Sequence, residues 1–129
     1  MSDRVSAAKS LSRPTVRLVL AVFILAAAGW VGRSQWVKRQ LIVAENRAVE
    51  MQNQAQYAQA AMAYEAIRPE VSGESAKRVT ANLAACYAAM AEDPALPAPE
   101  VFELYRRAYG LDPAAVTNPA ILKRLKGGP

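Results

Sequence analysis

Residues 15–68 contain no proline, and their only glycines are Gly29 and Gly32. The first part of that stretch, RLVLAVFILAAAGWVGR at 17–33, places fifteen uncharged residues between Arg17 and Arg33. A chain this apolar satisfies its own backbone N–H and C=O groups most simply as a helix, whether it meets lipid or a protein core. As a helix the fifteen residues extend ~22 Å, short of a hydrocarbon core of ~30 Å. The long stems of Arg17 and Arg33 let their charges reach outward, and apolar character resumes at Trp36 and Val37. A spanning helix over 17–37 is therefore expected, with Trp30 and Trp36 near one interface, where indole rings are favoured. Eight strongly apolar side chains contribute roughly −4 kcal/mol toward insertion before polar costs.

The same residues also fit a cleaved leader. Arg4, Lys9, Arg13 and Arg17 form a basic start, Leu18–Leu25 an apolar centre, and Ala26, Ala27 and Ala28 a small-residue processing site. A retained anchor is expected. Basic residues flank it almost equally, with Arg4, Lys9, Arg13 and Arg17 before it and Arg33, Lys38, Arg39 and Arg47 after it. A short basic N-terminal segment ordinarily stays inside, so the N-terminus is expected in the cytoplasm and the following domain across the membrane. Ala28 and Gly32 form a small-xxx-small pair that would let a second membrane helix approach closely. The segment has no His to ligate a haem and no acid to relay ions.

Charge follows the same division. Through Arg39 there are seven Lys or Arg against the single acid Asp3; beyond it nine bases meet ten acids. The high isoelectric point, about 9.7, thus reports a local basic segment suited to lipid headgroups, and no nucleic-acid partner is expected. The chain has no His and one cysteine, Cys86, which by itself makes neither a disulfide nor a zinc site. No metal, cofactor, small-molecule substrate or catalytic residue is expected. Glu65, Glu70 and Glu74 are carboxylates on a helix surface and in a turn, without a nucleophile, base and oxyanion donor gathered around them.

Past the apolar run, Val37, Leu41, Ala44, Ala48 and Met51 recur at helical spacing, which places them on one stripe. This predicts that the anchor helix continues into a folded domain and packs there on the next helix. A break is expected at 53–56. A second helix carries Tyr57, Ala60, Ala61, Tyr64 and Ile67 up to the turn residues Pro69, Ser72 and Gly73. Ser75 is the expected cap of a third helix with Val79, Leu83, Cys86, Tyr87 and Met90 inward. The stretch EDPALPAPE at 92–100 reads as a loop, and a fourth helix follows at about 100–110. Its Phe102, Tyr105, Ala108 and Tyr109 are expected on the inner face, with Gly110-Leu111-Asp112-Pro113 as terminator. Asn118 before Pro119 is a cap with proline at the first helical position, and Lys123, Arg124 and Lys126 suit the C-terminal end of the last helix.

These helix pairs resemble tetratricopeptide repeats. NLAACY at 82–87 resembles the family's first-helix segment, with Leu83 for packing, Ala84 at the small crossing position and Tyr87 one turn on. YRRAYGLDP at 105–113 is similar to its second-helix ending, with Tyr105 and Ala108 three apart before Leu-Asp-Pro. A looser first unit has Ala48 at the small position, Met51 where an aromatic is usual, then Tyr57, Ala60 and Tyr64, with its proline displaced to Pro69. The second unit is longer than the family pattern by roughly five residues in the Pro-rich loop. The resemblance covers about residues 41–113. A generic helical bundle would share the same core.

The expected fold is thus all-α. A basic N-terminal tail at 1–16 and a transmembrane helix at 17–37 precede a helical domain at 38–126. That domain holds two repeat-like helix–turn–helix units and a short C-terminal capping helix. The resemblance implies protein–protein interaction through the first helix of each unit, which presents Ile42, Glu45, Val49 and Gln52, then Arg78, Ala81, Ala85 and Ala88. The function expected is that of a non-catalytic single-pass subunit in a bacterial inner (cytoplasmic) membrane. It would scaffold a larger complex of respiratory, photosynthetic or secretion type, with other subunits and the lipid bilayer as partners. The alternative is a membrane-tethered adaptor or assembly factor that binds its clients transiently.

Overall fold

The structure, a computed structural model, describes the backbone of residues 2–127 and the side chains of residues 14–127. Five helices, α1 (Ser2–Asn53), α2 (Tyr57–Ile67), α3 (Gly73–Met90), α4 (Ala98–Leu111) and α5 (Pro119–Gly127), are joined by short turns. Two of the connections contain 3-10 turns, Arg68–Glu70 and Pro113–Ala115, and no strand occurs among the described residues. The chain divides into two units, Met1–Arg39 and Gln40–Pro129. Among the residues expected in the basic tail, the side chains of Arg4, Lys9 and Arg13 lie outside those described.

In the first unit the helix leaves its apolar side chains uncovered. Leu18, Leu20, Phe23 and Leu25 are more than half exposed, as are Trp30 and Trp36. The stretch Pro14–Asn53 is the one candidate long and apolar enough to cross a membrane among the described residues; its apolar window has a mean hydropathy of 2.0 and 0% of it is buried. Ala28 and Gly32 lie one turn apart, and a Cβ added at Gly29 or Gly32 would meet no atom within 4 Å.

The second unit begins with residues 40–53 of α1. Leu41, Ala44 and Met51 pack on the core and Ala48 lies within it, as the stripe predicts; Val49, expected on the partner face, also packs against the core. The helix ends at the expected place. Gln56 N–H donates to Met51 O at 2.9 Å and Ala55 N–H to Gln52 O at 3.0 Å. That paired reversal needs a left-handed residue between them, here Ala55 at φ 59°.

Two helix starts differ from expectation. α3 starts at Gly73, with Ser72 in the N-cap position three residues before Ser75 but without a side-chain capping bond; Gly73 at φ +60° turns the chain into the helix earlier. α4 starts at Ala98, since Pro99 sits in the first turn, where a missing N–H costs nothing. It ends within the expected 110–113 terminator: Gly110 is still helical, and Asp112 is extended at φ −152°, as the residue before a proline is. The Asp112 carboxylate then accepts Ala114 N–H at 3.1 Å. α5 is capped as expected: Asn118 Oδ1 accepts from Ala120 N–H at 3.0 Å and Ile121 N–H at 3.4 Å.

The core is built from alanines on α1 to α4 and a few larger side chains between them. Ala48, Ala60, Ala84 and Ala108 are fully buried, and their small side chains let neighbouring backbones approach. Tyr64, Val79, Leu83 and Cys86 fill the spaces so formed, each also at 0% exposure. A buried aliphatic side chain of that size stabilises by about 1.5–3 kcal/mol. α3 is central, packed on α2 to one side and α4 to the other. α5 buries no residue completely; Ile121, Leu122 and Leu125 rest half-buried on the core.

Candidate functional site

The structure sorts the eight residues of the expected partner face into two groups. Ile42, Arg78 and Ala81 are exposed, whereas Val49, Gln52, Ala85 and Ala88 are half-buried and Glu45 is buried. Glu45 is thus internal, contrary to its expected outward position. Arg78 accounts for the difference: its Nε donates to Glu45 Oε1 at 2.9 Å and its Nη2 to Oε2 at 3.3 Å. This two-pronged pairing suits a planar guanidinium and fixes α1 to α3 in one register. Ser75 Oγ accepts a further bond from Arg78 Nη2 at 2.9 Å. The pairing with Glu45 pushes the Arg78 pKa up, so it stays charged. Gln52 is also occupied, since its Oε1 accepts from the Tyr64 hydroxyl at 2.9 Å. Three of the eight residues are thus engaged within the domain: Glu45 and Arg78 join α1 to α3, and Gln52 joins α1 to α2.

The carboxylates and the thiol are similarly placed in separate settings. Glu65 accepts the Tyr87 hydroxyl, Glu74 pairs with Lys77 at 3.3 Å in full exposure, and Glu70 lies exposed in the 3-10 turn. Cys86 is buried, and burial pushes its thiol up to about 11. A thiol held protonated in this way is a poor nucleophile near neutral pH, in keeping with its reading as a small core residue. Burial also raises the Tyr64 phenol to about 12, with Cys86 adding to the rise, Asn82 opposing it through a hydrogen bond, and Glu45 adding further. Among the described residues no three metal-ligating side chains gather in one place.

The concave features lie elsewhere. One cleft of about 580 Å³ opens where the α1–α2 turn meets the α3–α4 loop; Tyr57, Met90 and Leu96 line it, with Glu92 and Asp93 at its edge. A larger cleft, about 920 Å³, lies between α4 and α5. Phe102, Arg106 and Tyr109 supply its α4 wall, and Lys123, Arg124 and Leu125 its α5 wall. The Arg124 guanidinium carbon is 4.5 Å from the centre of the Phe102 ring. Contacts of this kind are worth about 0.5–1 kcal/mol where solvent reaches them.

Phe102 is the second correction to the expected interior. Ala108 lies within the core and half-buried Tyr105 and Tyr109 pack against it, whereas Phe102, equally half-buried, lies outside that cluster and meets Arg124 of α5. Helical spacing groups Phe102 with Tyr109 and says nothing of which neighbour covers each. The signal that could have found the cleft is the coincidence of a four-helix core already supplied with aromatics and a basic last helix lacking acids. Comparison with protein-family models, curated proteins and solved structures finds no match for this chain.

Proposed function

We propose that this chain is a non-catalytic, single-pass membrane subunit whose helical domain holds a larger membrane complex together. The observation that carries the reading is the uncovered apolar helix in the first unit, where large side chains from Val16 to Val31 stand exposed along continuous turns. Water penalises such a surface by about 25 cal/mol for every Å² left in contact with it, and a bilayer removes the penalty. Trp30 and Trp36 then fall at one lipid–water boundary, and Ala28 with Gly32 offers a close-approach site to a neighbouring membrane helix.

In the second unit, successive helices that each bury an alanine completely support the reading as two units of tetratricopeptide-repeat type. Repeat arrays of this kind need neighbours on their open faces, and a pair of units has few of its own. The setting that fits is a bacterial inner membrane, with the N-terminus in the cytoplasm and the helical domain on the far side.

Extraction of membranes with mild detergent followed by sizing tests the proposal. The expected result is co-elution with other membrane subunits at fixed stoichiometry that survives salt. Salt-labile, substoichiometric recovery of clients would instead assign a transient adaptor, and a clean monomer would overturn the stable-subunit proposal. Alkaline carbonate tests the anchor separately: the chain should remain with the vesicles, and release of intact polypeptide would refute it.

A further inference from the structure

We infer that the cleft between α4 and α5 binds an extended acidic peptide segment of a partner protein. The inference rests on reading the helical domain as a docking module; it does not depend on the membrane anchor.

Charge is the first argument. Beyond Arg39 the chain is close to neutral, with nine bases against ten acids, yet Arg106, Lys123 and Arg124 line this one cleft and no acid lines it. The dipole of α5 explains why cations stand near its C-terminal end, but not how Arg124 is used. Its guanidinium lies over the Phe102 ring, and neither it nor Lys123 makes an ion pair among the described residues. Stacking on a ring leaves the guanidinium edge, with its N–H donors, free for a carboxylate.

Arg106 is paired with Glu103, at 2.9 and 2.7 Å, on the same helix. Arg107 stands 3.5 Å from that carboxylate, so Arg106 can turn to a ligand without leaving Glu103 unpaired.

Shape is the second argument. Phe102, Arg106 and Tyr109 follow one another along a single face of α4, so the two aromatic rings start ~10 Å apart along the axis. About three residues of extended chain cover that distance. Alternation of apolar and acidic side chains would set apolar groups against Phe102 and Tyr109 and carboxylates against the cations. The α5 wall is held by half-buried Ile121, Leu122 and Leu125 and no fully buried residue, so it can adjust to a strand-thick ligand.

The probe is a fluorescein-labelled heptapeptide of alternating Asp and Leu, with an alternating Lys and Leu peptide as control. It is titrated by anisotropy against the full chain in neutral nanodiscs. Saturable binding of the acidic peptide is expected, weakened about tenfold by the double variant K123E/R124E and also by added salt. Phe102→Leu should weaken it less. Lys77→Glu, on α3 and outside the cleft, should leave the affinity unchanged, and circular dichroism should show the same helix content in every variant. Equal binding of the basic peptide, or unchanged affinity in K123E/R124E, would overturn the inference. So would displacement of the peptide by phosphatidylglycerol nanodiscs whose own binding needs Lys123 and Arg124, which would assign the cleft to lipid headgroups. A chain that binds the peptide but fails to enter nanodiscs refutes the anchor alone.

Discussion

The helix of the first unit and the helices of the second draw on the same residues, largely Ala, Leu and Val, and treat them oppositely. Leu20 and Phe23 are 54% and 70% exposed, while Leu83 and Val79 are at 0%. The contrast does not arise from hydrophobicity. It arises from spacing: in 18–32 apolar residues occupy every face, whereas in α3 polar Lys77, Arg78 and Thr80 interrupt them and leave one apolar side. A helix apolar on all sides cannot choose an inner face, so its medium must be apolar. A one-sided helix finds its medium in its neighbours. The two units therefore teach that period, more than content, separates an apolar helix left uncovered from one that packs on its neighbours.

The sharpest way to break this comparison is to truncate one leucine in each region. Leu83→Ala should lower the stability of the helical domain by about 2–5 kcal/mol, because a filled site at the centre of α3 becomes a void. Leu20→Ala should move the same denaturant transition by less than about 0.5 kcal/mol. Comparable shifts for both, measured by urea titration of tyrosine fluorescence in detergent, would show that residues 18–25 have a protein core of their own.

Alkali should act on the second region alone. Cys86 and Tyr64 have pKa values raised to about 11 and about 12, from ordinary values of 9.0 and 10.0. The folded state thus favours their protonated forms. The stability they confer is fully present below pH 9 and is lost as pH rises through 11 and 12. Each contributes of order 2 kcal/mol, and they are coupled, so the sum is smaller than two independent losses. Cys86→Ala should flatten the thiol's part of the profile. Helix signal monitored against pH should show the domain melting while residues of the apolar helix persist; simultaneous loss would remove the distinction. This also means that a carbonate wash loosens the domain without testing it.

The smallest effect sharpens the boundary where α1 ends. Ala55 holds a left-handed conformation that glycine adopts without steric cost. Ala55→Gly should raise the unfolding free energy by about 0.5–1 kcal/mol, offset in part by greater freedom in the unfolded chain. A decrease would mean that the Cβ of Ala55 contributes packing that outweighs its strain.

Much of this architecture was legible in the residues. The stripe of Leu41, Ala44, Ala48 and Met51 named its own inner face, and Asn118-Pro119 marked the start of α5, because both signals are local. α3 starts before Ser75 because Gly73 adopts a backbone conformation that letters alone do not reveal. Glu45 was misjudged for a different reason. A carboxylate on an amphipathic helix reads as solvated unless its partner is known, and Arg78 lies on another helix. The α4–α5 cleft was likewise hidden, since it depends on which side of α4 the last helix settles. Local rules locate helix ends and inner stripes; they do not pair charges across the chain.

The burial of Cys86 has a practical consequence. This thiol is the chain's only one, and folded helices keep reagents from it, so alkylation has to wait for the protein to open. The rate at which a maleimide captures it is therefore a stopwatch for breathing of the α2–α3–α4 interior, readable by mass without any engineered label. Partners that hold those helices closed will slow the watch, and those that ignore them will leave it running at the same pace.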